Sequence, residues 1–143
     1  MTSRMHAATT AADRELGTVD LGEVLRIPRG SSLAETARLL RARGVSAGLV
    51  GDAARDVVTE RDLAWALAQG LGPADQVESV LERTPAWTTT SSHVIDAAHM
   101  MLRLGVHHLV VLRVDGRAAG VLSMHDVLAL IVPDGRIDAP ARA

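Results

Sequence analysis

The chain has 143 residues, 48% of them apolar, and a formal net charge of -2. That length suits one compact domain or two small units sharing a core, and the balanced charge, with no basic cluster and no aromatic stacking platform, argues against nucleic-acid binding. With no Cys there is no disulfide and no thiolate metal site; with neither the apolar core of a signal peptide nor a run near the roughly 20 apolar residues of a membrane span, a cytoplasmic protein without membrane contact is expected.

Trp65 and Trp87 are the only aromatics, so Leu, Val, Ile and Ala must fill the interior. Residues 1–17 are polar, Ala- and Thr-rich and without period, and are expected to fray as a flexible N-terminal tail. Val24-Leu25-Arg26-Ile27 then reads as a short extended segment. Ser32-Leu33-Ala34-Glu35 matches a capping box, and Leu33, Ala37 and Leu40 form a stripe at helical spacing. Gly44 stands where a left-handed residue closes a helix. Two apolar runs, Gly48-Leu49-Val50 and Val57-Val58, flank Gly51-Asp52 and predict a hairpin, and a second helix opens after Thr59.

Residues 72–85 read as a linker, with a short helix expected from Asp75 to Arg83. The pattern then repeats. Ala86-Trp87-Thr88-Thr89 is extended, a helix follows Ser91 or Ser92 with the stripe Val94, Ala97, Ala98 and Met101, and Gly105 closes it. Leu109 to Leu112 and Gly120-Val121-Leu122 flank Asp115-Gly116, and a last helix opens after Ser123. With Gly44 laid over Gly105, Ala37 falls on Ala98 and Val50 on Val111, and a short insertion sits in the second hairpin. Residues 133–143 are expected to form a second flexible tail. The expected fold class is α+β (α/β layered): two pseudo-symmetric β-α-β-β-α repeats, residues 18–71 and 86–132, packed sheet to sheet because neither buries enough surface alone.

Ser/Thr-x-x-Asp opens the last helix of each repeat, in Val58-Thr59-Glu60-Arg61-Asp62-Leu63 and in Gly120-Val121-Leu122-Ser123-Met124-His125-Asp126. Together with GVHHLVVL at 105–112, this tandem unit resembles the paired CBS domain, the cystathionine β-synthase-type Bateman module, over residues 18–132; the small stand-alone bacterial pairs look most similar. The resemblance implies a regulatory sensor, not an enzyme, a homodimer, no required cofactor, and clefts between repeats that take an adenosyl ligand: AMP, ADP, ATP, NAD or S-adenosylmethionine. It implies that Asp62 and Asp126 accept hydrogen bonds from ribose hydroxyls, and that Thr59 and Ser123, with nearby helix amides, meet phosphate. His107 and His108 fall where some members place basic residues against phosphate, and Val58, Leu122 and Val106 flank the base.

The chemistry agrees with these roles. An ionised carboxylate only accepts hydrogen bonds and so pairs well with vicinal hydroxyls, while a helix N-terminus offers free N–H groups to an anion. The first repeat has Ser46 and Ala47 in place of the histidines, and Asp56 in place of Gly120, so Ser123 and Asp126 are expected to line the working cleft. The same motif is also a plain helix cap. A rival reading is therefore a ligand-free structural or interaction protein, dimerising through apolar helix faces at Leu63 to Leu71 and Val127 to Val132. Among six His there is no HExxH and no carboxylate-His spacing of a metal site, and no nucleophile has a partnered base, so neither a metal nor a catalytic residue is expected.

Overall fold

The computed structural model describes residues 10–81 and 85–132. The first unit holds β1 (Arg26–Ile27), α1 (Leu33–Arg43), β2 (Ala47–Val50), β3 (Val57–Thr59) and α2 (Glu60–Ala68). The second holds β4 (Trp87–Thr89), α3 (Val94–Leu104), β5 (His108–Leu112), β6 (Ala118–Ser123) and α4 (Met124–Ile131). Each unit has a three-stranded sheet in sequence order, its first pair parallel and its second antiparallel. The α+β pair of β-α-β-β-α repeats read from the sequence is the architecture observed.

Strand alternation explains how the sheets are buried on both faces. In β5, Leu109 and Val111 enter the core under α3 and α4, while Val110 and Leu112 point the other way and meet Leu49 of β2. In β2, Val50 joins Ile27, Leu33 and Leu40 on the helix side, opposite Leu49. The sheets therefore pack face to face, and each fully buried Leu or Val at this seam contributes about 1.5–3 kcal/mol. Leu49 and Val110 also donate backbone N–H groups to Leu25 and Ala86, at 2.9 and 3.0 Å, which Pro could not do.

The helices start and stop nearly as their sequences dictate. Ser32 and Glu35 form the capping box of α1, and Gly44 and Gly105 take the left-handed conformation, at φ 64° and 65°. Two local expectations are corrected. In α1, Thr36 and not Ala37 is buried with Leu33 and Leu40, because its hydroxyl bonds back to the Ser32 carbonyl at 2.9 Å and needs no water. The residue capping α3 is His93, not Ser91 or Ser92: the Asp96 carboxylate accepts its N–H, and the Ser92 hydroxyl is taken by Thr88.

The segment that leads into each unit is docked on the other unit. Residues 11–13 and 16–18 form two 3-10 turns, and Leu16, 0% exposed, sits in the second core with Val94, Ala97 and Met101. Leu16 N–H bonds the Ser92 carbonyl, and Val94 N–H bonds the Arg14 carbonyl. At the equivalent place, Val77 N–H bonds the Ser31 carbonyl, Leu33 N–H bonds the Asp75 carbonyl, and Val77 and Val80 complete the first core. Residues 11–17, part of the tail expected to fray, are thus docked on the second core as Val77 and Val80 are on the first. The expected Asp75 to Arg83 helix is a 3-10 turn, Val77–Val80. Residues 1–9, 82–84 and 133–143 of the expected tails and linker lie outside the described residues.

Candidate functional site

Both Ser/Thr-x-x-Asp segments are reciprocal helix caps. Thr59 Oγ1 accepts the Asp62 N–H at 3.2 Å, and Asp62 Oδ2 accepts the Thr59 N–H at 2.8 Å and its hydroxyl at 3.0 Å. Ser123 Oγ accepts the Asp126 N–H at 3.0 Å, and Asp126 Oδ2 accepts the Ser123 N–H at 2.8 Å. In both carboxylates these bonds fall on Oδ2, leaving Oδ1 outside the cap. The helix amides are less free than the sequence implies: Glu60 N–H bonds the Ser46 carbonyl and Met124 N–H bonds the His107 carbonyl, at 3.0 and 2.9 Å.

The cleft that opens between the units joins the caps differently from the expectation. A cavity of about 480 Å³ is lined by Val57, Thr59, Arg61, Asp62 and Trp65 of the first unit, Val80 and Pro85 of the connection, and Ala86 and Gly105 to His108 of the second. The volume lies in the range of small-molecule sites, roughly 300–1,000 Å³. His107 and His108 therefore share a cavity with Thr59 and Asp62; Ser123 and Asp126 do not line it. Face-to-face packing is the reason, since it brings the end of β3 opposite the start of β5.

The reasons for preferring the second cleft also change. Asp56 is held by Arg29 at 2.5 Å and does not line the cavity. Gly120 serves packing: a Cβ there would lie 2.6 Å from Leu21 Cβ. Val58 and Leu122, expected to flank a base, are fully buried in the two cores, whereas Val57 and Val106 do border the cavity. The sequence reading passes over Trp65, 40% exposed in the cavity wall, although its spacing of three from Asp62 puts it on the same side of α2. Trp87 sits at the edge of the seam, with the Arg55 guanidinium 5.2 Å from its ring centroid.

His108 ties the units together. Its Nε2 and Ser46 Oγ are 2.6 Å apart, across the cleft. Burial holds its pKa below the ordinary histidine value, and the neighbouring His107 adds to this; the carboxylates of Asp126, Glu60 and Asp62 pull the other way without offsetting it. A neutral ring follows near neutral pH. No group of three His, Asp or Glu among the described residues is placed to hold a metal ion, and no described helix is long and apolar enough to cross a membrane.

Comparison with known proteins gives one consistent result. Residues 77–133 match the family model of the CBS domain. A CBS domain-containing protein of Arabidopsis thaliana, CBSCBSPB3, is 32% identical over 110 residues, covering 73% of this chain and 20% of the relative. The chain spans about one fifth of the length of the curated relatives it matches. A CBS-domain containing protein of Agrobacterium tumefaciens superposes with a TM-score of 0.70 at 25% identity, over 77% of this chain and 85% of that one. A CBS domain protein of Pyrobaculum aerophilum, solved in complex with AMP, gives 0.67 at 24% identity, over 82% and 98%. Residues 77–133 are a CBS domain, and with the same element order standing on both sides of the cleft the chain has the architecture of a tandem CBS module.

Proposed function

We propose that this chain is a regulatory module that binds an adenine nucleotide in the cleft lined by Thr59, Asp62, His107 and His108. The observation that carries the reading is that one cavity of nucleotide size collects a half-free carboxylate, two imidazoles and apolar walls from both units. Asp62 Oδ1 would accept the ribose hydroxyls, Val57, Val106 and Trp65 would flank the base, and the phosphate would lie toward the histidines. A ligand touching both units would tighten the seam between them. The AMP complex of the Pyrobaculum relative supports the choice of ligand class.

Calorimetry with AMP tests this. Asp62→Asn keeps an oxygen for the cap but removes the charge, and should weaken AMP by about 1.5–3 kcal/mol, roughly tenfold or more, as for a hydrogen bond to a charged group. Asp126→Asn, which lies outside the cavity lining and acts there only through its charge on His108, should weaken AMP less than Asp62→Asn does. Binding that is indifferent to Asp62 and lost with Asp126 would return the site to the other corner.

A second reading rests on exposed apolar residues of α2 and α4: Leu67 is 73%, Leu128 53% and Ile131 43% exposed. Such faces suit a homodimer, which sedimentation would detect and Leu67→Glu with Leu128→Glu would disperse. A dimer that ignores AMP would make the chain an interaction protein and not a sensor.

A further inference from the structure

The electrostatics of the cleft restrict what it can hold. A phosphate monoester brings about -1.5 to -2 charges near neutral pH, and Asp62 already lines the cavity. Among the described residues, Arg61 is the one fixed cation in the lining, and it is exposed. The usual alternative, the first amides of a helix, is largely spent: Glu60 N–H serves the Ser46 carbonyl and Asp62 N–H serves Thr59 Oγ1, whose own hydrogen goes to Asp62 Oδ2. Of the described lining residues, His107 and His108 remain to meet the phosphate. His107 is exposed at the cavity edge, and His108 is half-buried with Ser46 on its Nε2.

Resting on the adenine-nucleotide reading above, we infer that the cleft takes its ligand as a phosphate ester together with a proton held by His107 and His108. Phosphorylated adenosines are then preferred over unphosphorylated or sulfonium-bearing ones, and affinity depends on pH. The groups facing His108 are His107 just before it in the chain, Glu60 and Asp62 from α2, Asp126 from α4, and Ser46 from the loop before β2. Without ligand, burial and His107 outweigh the three carboxylates and hold the ring's pKa below its ordinary value. A phosphate adds negative charge on the open side and reverses that balance. A group whose pKa rises on binding takes up a proton, so binding is tightest below the free-state pKa and weakens as pH rises through the bound-state value.

Isothermal titration of the full chain with AMP and with adenosine, at about pH 6.5 and about pH 8 and in two buffers of different ionisation enthalpy, tests this. AMP should bind with net proton uptake and lose several-fold in affinity at the higher pH, up to about tenfold per pH unit for one linked proton. Adenosine should bind more weakly and without pH dependence. AMP titrates in this range by itself, so the quantity read is the difference between wild type and the exposed-site variant His107→Gln, and then His107→Gln with His108→Gln. Uptake should fall stepwise across them. The His108 pKa from NMR with and without AMP gives the same answer without mutation: it should rise on binding. AMP and adenosine binding equally, or proton uptake unchanged in the double variant, overturns the inference while the nucleotide reading stands. Failure of both ligands to bind overturns both.

Discussion

The corner at Thr59 and the corner at Ser123 are built alike and surrounded differently. Each has a hydroxyl and a carboxylate three residues apart capping a helix reciprocally, with the first helix amide tied to the loop before the central strand. Around Thr59 and Asp62 the facing unit supplies His107 and His108 and leaves a cavity. On the other side the residues equivalent to the histidines are Ser46 and Ala47, and Leu21 presses on Gly120. Repetition of the motif therefore records what a unit needs to fold. The chemistry comes from which residues of the opposite unit face each copy, and the two copies face different ones.

The shared part of the comparison breaks most visibly at the docked leading segments. Leu16→Ala removes a fully buried side chain from the second core and should cost about 2–5 kcal/mol. Val77→Ala, its equivalent in the first core, removes less and should cost less. Both are measured by denaturant unfolding. If Leu16→Ala leaves the midpoint unchanged, the N-terminal arm is not part of the second unit.

The hairpins give the next effect. Gly120→Ala forces a Cβ against the Cβ of Leu21, where no flexible chain end can yield, and should destabilise by about 1–3 kcal/mol. Asp56→Ala, the matching position in the first hairpin, removes a mostly solvent-exposed ion pair with Arg29 and should cost about 0–1 kcal/mol, less in high salt. Equal losses at the two positions would show that Gly120 is not placed there by close packing.

Much of this was legible in the chain. Capping boxes, closing glycines and hairpin turns are local rules, and Ser32 with Glu35, Gly44, Gly105 and Asp115-Gly116 obey them. The repeat itself gives the two sheets, and with them the Thr59–Asp62 and Ser123–Asp126 pairs. The partner of each pair was not legible, because period and spacing describe one chain segment and the cleft is made by two. The ordered arm was missed for a related reason. Leu16 and Val19 are an apolar pair spaced by three, like Val77 and Val80, yet the polar residues around them read as a tail until the pair is set beside its equivalent. At Gly120 the sequence suggests only a missing charge, whereas the reason for glycine there is steric.

The smallest expected effect separates His108 from its equivalent in the first unit, Ala47. In the ligand-free protein the ring sits below the ordinary value of 6.5, with burial as the main cause. The unfolded chain therefore binds the proton more readily than the native state. The associated stability is complete above the unfolded value and is lost as pH falls from there through the folded value. Thermal unfolding without ligand should thus show a melting temperature that declines on acidification below about pH 6.5. His108→Gln can keep a hydrogen bond to Ser46 but cannot titrate, so it should flatten that part of the decline while leaving the acid loss due to carboxylates in place. Wild type and variant running parallel across this range would mean that the proton on His108 does not distinguish native from unfolded. AMP should reverse the sign, since a bound phosphate raises the same pKa and makes its stabilisation of the native state largest on the acid side.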